Sequence, residues 1–422
     1  RTHFTITSDG KVEKSNAGSG RKPAPLEAPA IDEWASASQM QYIDGESERY
    51  ATIDNPASLH ELGASYGYGW MRFRFQGKGA KKAKAGFFDL RDRAHAFLDG
   101  ELADVAGVGP GAAGSIITLP LKKRKHTLTV LIDNLGRVDG GSMLEPRKGL
   151  LGHVHEAAQI KPGKAVIEQG EPLAPLSFRT PLMGLRSGVR THPDRITWTI
   201  QHRRKTPIFM EVGHCPAPAL VLVNNTIVAA IDPGERATVR MENTSDEAPF
   251  KSGKNVVQLA LVADPVAGGR DPNDVLAEVD KATCFYESEE VLTEKAEVAF
   301  AKWEPPADEQ FHAATKTAVR KATPEGVPLW WRTSFVVRSL AEPLFLDLAG
   351  MTKGQVYLNG RNLGRYFVAT KDGAEVGPVA RVWLPEPWLK VGEPNVVMLF
   401  DEHGAAPGKC RLVYDTSAGV VV

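Results

Sequence analysis

The sequence predicts an all-β chain of two or three jelly-roll β-sandwich domains in tandem, on the strength of one hairpin signature, its repetition, and a wealth of turn residues. The stretch Gly354–Phe367 (GQVYLNGRNLGRYF) alternates apolar residues at Val356 and Leu358 and turns at Asn359–Gly360. It then returns through a glycine to the aromatic pair Tyr366 and Phe367. That is the grammar of a tight β-hairpin. Ala96–Val105 (AFLDGELADV) and Leu220–Ile231 (LVLVNNTIVAAI) follow the same order of apolar strand, Asn/Asp turn and apolar return. Each copy is followed by a basic or Gly-containing turn and a strongly β-prone strand: KHTLTVLIDNLG from Lys125, GKNVVQLALV from Gly253 and VGEPNVVMLF from Val391. Three copies, each longer than a solenoid repeat, imply three related domains, and hairpin richness makes them sandwiches. A chain of 422 residues exceeds what one core serves, and 40 glycines with 29 prolines suit many short strands.

Taken in order, residues 1–30 (with SNAGSGRKPAPLEAPA) lack periodicity and read as a linker or extended arm. Residues 31–184 form the first sandwich, with SYGYGWMRFRF from Ser65, FFDLRDRAHAFLDG from Phe87, LTVLIDNLG from Leu128 and RKGLLGHVHEA from Arg147 as its landmarks. Within it Met71, Phe73 and Phe75 alternate with Arg72 and Arg74, which puts apolar side chains on one face and arginines on the other, the pattern of a half-buried antiparallel strand. Residues 185–295 form a second unit with strands ITWTI, IFMEV and ALVLV. Residues 296–326 mix helical tendency with the Pro305–Pro306 break and read as a connector, and 327–422 form the third sandwich. Helix should account for less than about a tenth of the chain.

Lysine plus arginine equals aspartate plus glutamate, 51 each, so no net field draws the chain to nucleic acid or to an anionic membrane. The basic run Lys78–Lys84 lies between predicted strands and reads as a solvated loop. Three distant cysteines, Cys215, Cys284 and Cys410, give neither a disulfide framework nor a CxxC metal site. No apolar run approaches the roughly 20 residues that span a bilayer. A start at Arg1-Thr-His, with no initiator Met or signal h-region, reads as cut from something longer.

No nucleophile elbow, zinc helix, phosphate loop or dinucleotide fingerprint occurs. The acids Asp89, Asp92, Asp99, Asp133, Asp139 and Asp347 fall at strand ends and turns, where Asp accepts backbone hydrogen bonds. His153 and His155 share one strand face, but two imidazoles without a third ligand do not make a metal site, and they read as exposed strand histidines. No cofactor is expected. A structural calcium ion is compatible with sandwiches of this type, but no spacing names its ligands. Aromatic residues are the better lead, because sugars stack CH faces on Trp or Tyr while Asn, Asp and Arg bind their hydroxyls. Tyr66, Tyr68, Trp70, Trp330, Trp331, Tyr366, Trp383 and Trp388 all neighbour turns. The candidate carbohydrate-binding set is Tyr68, Trp70, Trp330, Asn359, Arg365, Tyr366 and Trp383, weighed throughout against core packing.

These residues carry a resemblance. GQVYLNGRNLGRYF, then Gly377–Pro378, then VWLPEPWLKVGEPNVVMLFDE from Val382 resembles the C-terminal galactose-binding-like domain of β-galactosidases of glycoside hydrolase family thirty-five. The usual form there is KGxVxxNGxNLGRYW, GP and a closing strand that ends on an acid. DLRDRAHAFLDGE from Asp89 is similar to the D-x-RDxAxVFxDGE of the preceding domain in those enzymes, and LIDNLGRVDGG with RKGLLGHV to its ENxGRxNYG and KGIxGxV. YGYGWMRFRF and WWRTSF stand where the family has YGYxLYR and WYRxxF. Departures are Asp-Gly-Gly for Asn-Tyr-Gly, Phe367 for the usual Trp, and a central unit without counterpart in the common animal and plant enzymes.

The resemblance implies galactose-binding-like sandwiches from a β-galactosidase whose catalytic barrel and two glutamates lie outside this sequence, so no catalytic residue can be carried over. It implies a barrel domain or chain as partner and a galactose-containing glycan as ligand, is compatible with a homodimer, and favours an extracellular or periplasmic parent enzyme. Three functions stay open: a non-catalytic scaffold, a stand-alone carbohydrate-binding protein, and a glycosidase with its own site on the β-scaffold. The last requires two carboxyls roughly 5–9.5 Å apart.

Overall fold

The computed structural model describes residues 2–6, 11–16, 27–77, 79, 82–136, 147–170, 188–189, 192–203, 206–234, 236–264, 266–321, 326–340 and 342–414. They fall into two compact units, one made of residues 1–40 and 304–422 and the other of residues 41–303. Strands account for 48 % of residues and helix for 9 %, so the chain is all-β with multiple antiparallel sheets, as expected.

The threefold repeat recurs strand by strand. In the first copy the order across the sheet is Tyr68–Gln76, Lys125–Asp133, Arg93–Leu98, Glu101–Gly107. In the second it is Asp194–His202, Gly253–Leu261, Ala219–Val223, Thr226–Ile231. In the third it is Leu329–Val336, Pro394–Asp401, Lys353–Leu358, Arg361–Phe367. Every hairpin slips register two residues before its turn, at Ala96/Phe97, Val221/Leu222 and Val356/Tyr357. A bulge there sharpens the twist that lets the hairpin curl over its core. Each copy has its own apolar centre, built around Phe73 and Leu128, around Trp198 and Leu259, and around Trp331 and Leu399.

A three-stranded sheet backs each copy. Its middle strands are Ala83–Gly86, Ile208–Val212 and Leu344–Asp347, flanked respectively by Ile116–Leu119 and His155–Ile160, by Ala237–Met241 and Thr283–Val291, and by Arg381–Leu384 and Arg411–Tyr414. In the first two copies these sheets are fused. His155–Ile160 pairs antiparallel with Thr283–Val291, giving one six-stranded sheet shared by both.

Several segments differ from the sequence reading. Within the expected connector, Glu297–Lys302 is a strand paired with Tyr68–Gln76, because Val298 and Phe300 alternate inward onto the first core. Ala35–Ser38, assigned to the first sandwich, pairs with Leu329–Val336 instead, and Trp34 meets Trp331 edge-on at 6.5 Å. Thr2–Ile6 and Val12–Asn16 form an antiparallel ribbon where an arm was expected. Pro272–Lys281 is a helix whose start is fixed by Asp271 accepting from Asn273 N and by Pro272 in the first turn. On the arginine face of Met71–Phe75, Arg74 is partly exposed but Arg72 is not. Arg72 is buried, donates to Gly45 O at 2.8 Å and to Glu297 Oε1 at 2.7 Å, and lies 4.8 Å from the Tyr50 ring centre. Residues 137–141 of the DNLGRVDGG motif, most of the N-terminal arm, three residues of the Lys78–Lys84 loop and the start of the central unit lie outside the described residues.

Candidate functional site

Burial sorts the candidate aromatics. Trp70 is stacked on Tyr42 with centroids 5.6 Å apart, and Tyr68 packs on Trp303 at 5.0 Å; neither ring reaches solvent. Trp330 sits between Tyr357 at 5.7 Å and Phe400 at 5.2 Å and is likewise enclosed. The hydroxyl of Tyr366 donates to Phe400 O at 2.8 Å, with Asp401 Oδ2 at 3.0 Å. Burial, with the Asp401 carboxylate second, pushes its phenol well above the ordinary range. As ligand platforms these four are corrected to core: their apolar rings fill sheet interiors. Arg365 is half-buried on the return strand. Trp383, by contrast, is 47 % exposed.

Asn359 serves the turn. It adopts φ 50°, where Asn is tolerated, and its N–H donates to Val396 O at 2.8 Å while its Oδ1 accepts from Val396 N at 2.9 Å. Its Nδ2 donates to Trp388 O and to Asn395 Oδ1, and buried Asn395 in turn bonds Lys390 N, Lys390 O and Glu393 O. The second copy repeats every one of these bonds with Asn224 and Asn255: Asn224 Nδ2 reaches Pro249 O and Asn255 Oδ1, and Asn255 bonds Lys251 N, Lys251 O and Gly253 O. The first copy substitutes Asp99 and His126. Thr127 N donates to Asp99 Oδ1 at 2.9 Å, and Lys123 N donates to His126 Nε2 at 3.2 Å. Since Nε2 accepts, the proton sits on Nδ1, which donates to Asp99 Oδ2 at 2.9 Å.

The scattered motifs converge for equally structural reasons. Asp92, Leu135 and Lys148 come from three motifs of the first copy and meet where Asp92 accepts from Leu135 N at 3.0 Å and Lys148 Nζ at 2.8 Å. In the third copy Asp401 accepts from Thr352 N and Oγ1, His403 N and Ala405 N. Lys353 Nζ lies 5.6 Å from the ring centre of Phe367, so phenylalanine takes up the cation there despite replacing Trp. Gly354 is required by closeness: a Cβ would sit 1.7 Å from Phe400 O.

Trp383 belongs to an exposed sheet face. On the Arg381–Leu384, Leu344–Asp347 and Arg411–Tyr414 strands, Leu344, Leu346, Leu384 and Leu412 point inward. The opposite face aligns Trp383, Phe345 and Val413 side by side, with Asp347 between Arg381 (3.7 Å) and Arg411 (3.4 Å).

A concave feature lies on the fused sheet of residues 41–303, a cleft of about 1060 Å³. His153 and His155 line it. His155 is almost wholly buried rather than exposed, the correction required by its strand lying inside the six-stranded sheet; its Nδ1 meets Ser288 Oγ at 2.9 Å and its ring meets Phe209 edge-on at 5.0 Å. Burial first, then Arg240 and His153, lowers its pKa to about 4. His153, bonded to Thr293 Oγ1 at 3.2 Å, is lowered chiefly by burial. Among the described residues no third metal-ligating side chain converges on the two imidazoles. Arg240 bonds Glu242 at 2.9 Å and lies 3.9 Å from Asp89 at the mouth. Neither Arg240 nor His155's burial was legible beforehand, since both depend on sheet fusion.

Comparison with known proteins agrees with this architecture. Residues 328–395 match the galactose-binding domain of β-galactosidases and residues 56–161 match their first all-beta domain. Two stretches of the chain are therefore similar to β-sandwich domains of the β-galactosidase type. Human β-galactosidase-1-like protein 2 is 38 % identical over 81 residues, 19 % of this chain and 12 % of that protein. Dog β-galactosidase is 32 % identical over 93 residues, 21 % of this chain and 13 % of that protein. The matches thus span about an eighth of these relatives' lengths. Among solved structures, Bacteroides uniformis β-glucuronidase aligns over 73 % of this chain and 30 % of its own at 9 % identity, with a TM-score of 0.23, too low to carry an argument.

Proposed function

We propose that the chain is the non-catalytic β-sandwich region of a β-galactosidase-like glycoside hydrolase, packing against and supporting a catalytic barrel carried elsewhere. The observation that supports this most is the use made of the signature residues. Trp70, Trp330 and Tyr366 fill cores, while Asn359, Asp92 and Asp401 hold turns and crossings. A site built to contact ligand would leave such groups at a surface. The purified chain should hydrolyse a nitrophenyl β-galactoside no faster than buffer does, and should bind a co-expressed barrel domain from the same enzyme. Turnover that survives repurification and is abolished by one Asp or Glu substitution would overturn the reading in favour of a glycosidase.

A second reading, a galactoside-binding module, is favoured by the Trp383 face. An exposed indole flanked by an Arg–Asp–Arg cluster offers a stacking plane beside hydroxyl-binding groups. Retention on immobilised galactose that Trp383→Ala abolishes would support it; equal retention of both proteins, or of neither, would reject it.

A further inference from the structure

We propose that the cleft on the fused sheet is a binding site for a neutral saccharide, distinct from the Trp383 face and not dependent on the scaffold reading. The cleft draws residues from both sides of the seam between His155–Ile160 and Thr283–Val291, and ligand sites concentrate where such modules join. At about 1060 Å³ it has room for more than one sugar ring.

An unanswered polar atom belongs to the same cleft residues. Nε2 of His155 is buried, has no hydrogen-bond partner among the described residues, and belongs to a residue lining the cleft. A buried imidazole nitrogen calls for a partner. A neutral ring can either donate to or accept from a hydroxyl, and a hydroxyl can answer either way.

Arg91, Arg147 and Arg240 line the cleft with guanidinium donors. Asp89, Glu242, Glu290 and Glu294 set four carboxylate acceptors against them. Three cations facing four anions leave little net attraction for a phosphate or an ammonium ion, yet provide planar donors and acceptors that a sugar's hydroxyls can bond. A Cβ on Gly152 would come within 2.2 Å of Asp89 Oδ2, so glycine is what allows that carboxylate its place at the mouth.

Calorimetric titration of the full chain with lactose, cellobiose and maltotriose tests the assignment. At least one of the three should bind with a dissociation constant near 1 mM or tighter. His155→Phe keeps a flat ring against the stacked Phe88 and Phe209 while removing both nitrogens, and should weaken binding roughly three- to tenfold. Arg240→Ala, at the more exposed mouth, should weaken it at least as much, and serves if the His155 variant fails to fold. Trp383→Ala should leave the affinity unchanged. No binding by any of the three sugars, binding of inorganic phosphate in their place, or an affinity indifferent to Arg240 would overturn the proposal. An affinity lost only with Trp383→Ala would assign the ligand to the other face.

Discussion

Asn359 donates from Nδ2 to Oδ1 of Asn395 across 2.9 Å, and the strand holding Asn395 reaches the turn holding Asn359 only because the sheet brings them into register. The pair acts as a latch. The turn amide clamps the neighbouring strand, while the buried partner amide closes the loop before that strand. Asn395→Ala should cost about 2–4 kcal/mol, since it leaves Lys390 N and Lys390 O without their partner inside the protein. Asn255→Ala should cost a similar amount in the second copy. Urea midpoints at constant m-value measure both, and a loss below about 0.5 kcal/mol would show the latch to be incidental.

In the first copy the equivalent pair is Asp99 and His126. Their coupling is open to a double-mutant cycle with Asp99→Asn and His126→Asn. The doubly substituted protein rebuilds the Asn–Asn chemistry of the other copies and should lose less than the sum of the single losses, by about 1 kcal/mol or more. Strict additivity would mean that the two residues act independently.

Asp401 gathers a loop crossing through Thr352, His403 and Ala405. Replacing it with alanine should cost at least about 3 kcal/mol, because several buried donors lose their acceptor together. Asn at this position keeps one carbonyl oxygen and should fall between wild type and alanine. If alanine and asparagine melt alike, the acceptor role is not what the carboxylate supplies.

Trp70 and Tyr66 share one turn-rich stretch of sequence but not one environment. Tyr66 is 71 % exposed, but the Trp70 ring is enclosed against Tyr42 and Phe97. Trp70→Ala should therefore destabilise the unit by about 3–5 kcal/mol. Sedimentation of the folded variant should match wild type; weaker association at unchanged stability would contradict the core assignment.

His155 makes stability depend on pH. With the folded-state pKa lowered to about 4, the unfolded chain takes up a proton between about pH 6.5 and 4 that the folded chain refuses. This contribution is present in full above pH 6.5 and is lost as pH falls through that window, by up to about 3 kcal/mol. Denaturant midpoints at pH 7 and pH 4.5 should show a smaller difference for His155→Phe than for wild type. An identical difference would assign the acid sensitivity to other groups.

What could be read in advance was whatever is local. The turns at Asp99–Gly100, Asn224–Asn225 and Asn359–Gly360 declare themselves because positive φ restricts residue choice within a few positions. Their latch partners do not, because His126, Asn255 and Asn395 stand 27, 31 and 36 residues further on and acquire a role only through strand register. The helix at Pro272–Lys281 has a local signal in Asp271-Pro272 and the stripe Val275, Leu276, Val279, which the strand-based reading of the central unit passed over. Pairing of Ala35–Ser38 with Leu329–Val336 joins residues almost 300 positions apart, and no local pattern reports it. The candidate aromatics were recognisable as anchors, but which side of a sheet each occupies depends on a second layer that the strand sequence does not name.

The fusion of the two backing sheets has a consequence for how such a chain can grow or shrink. Ile160 lies opposite Phe285 on adjacent antiparallel strands, so everything between them departs from and returns to the same point. The match to the first all-beta domain stops at residue 161, where that departure begins. A shorter sequence could close Ile160 to Phe285 with a plain turn and keep its first sandwich whole. The middle copy is thus a loop excursion enlarged to a domain, attached through two neighbouring strands rather than strung on a thread. It can be gained or lost without rethreading what lies on either side.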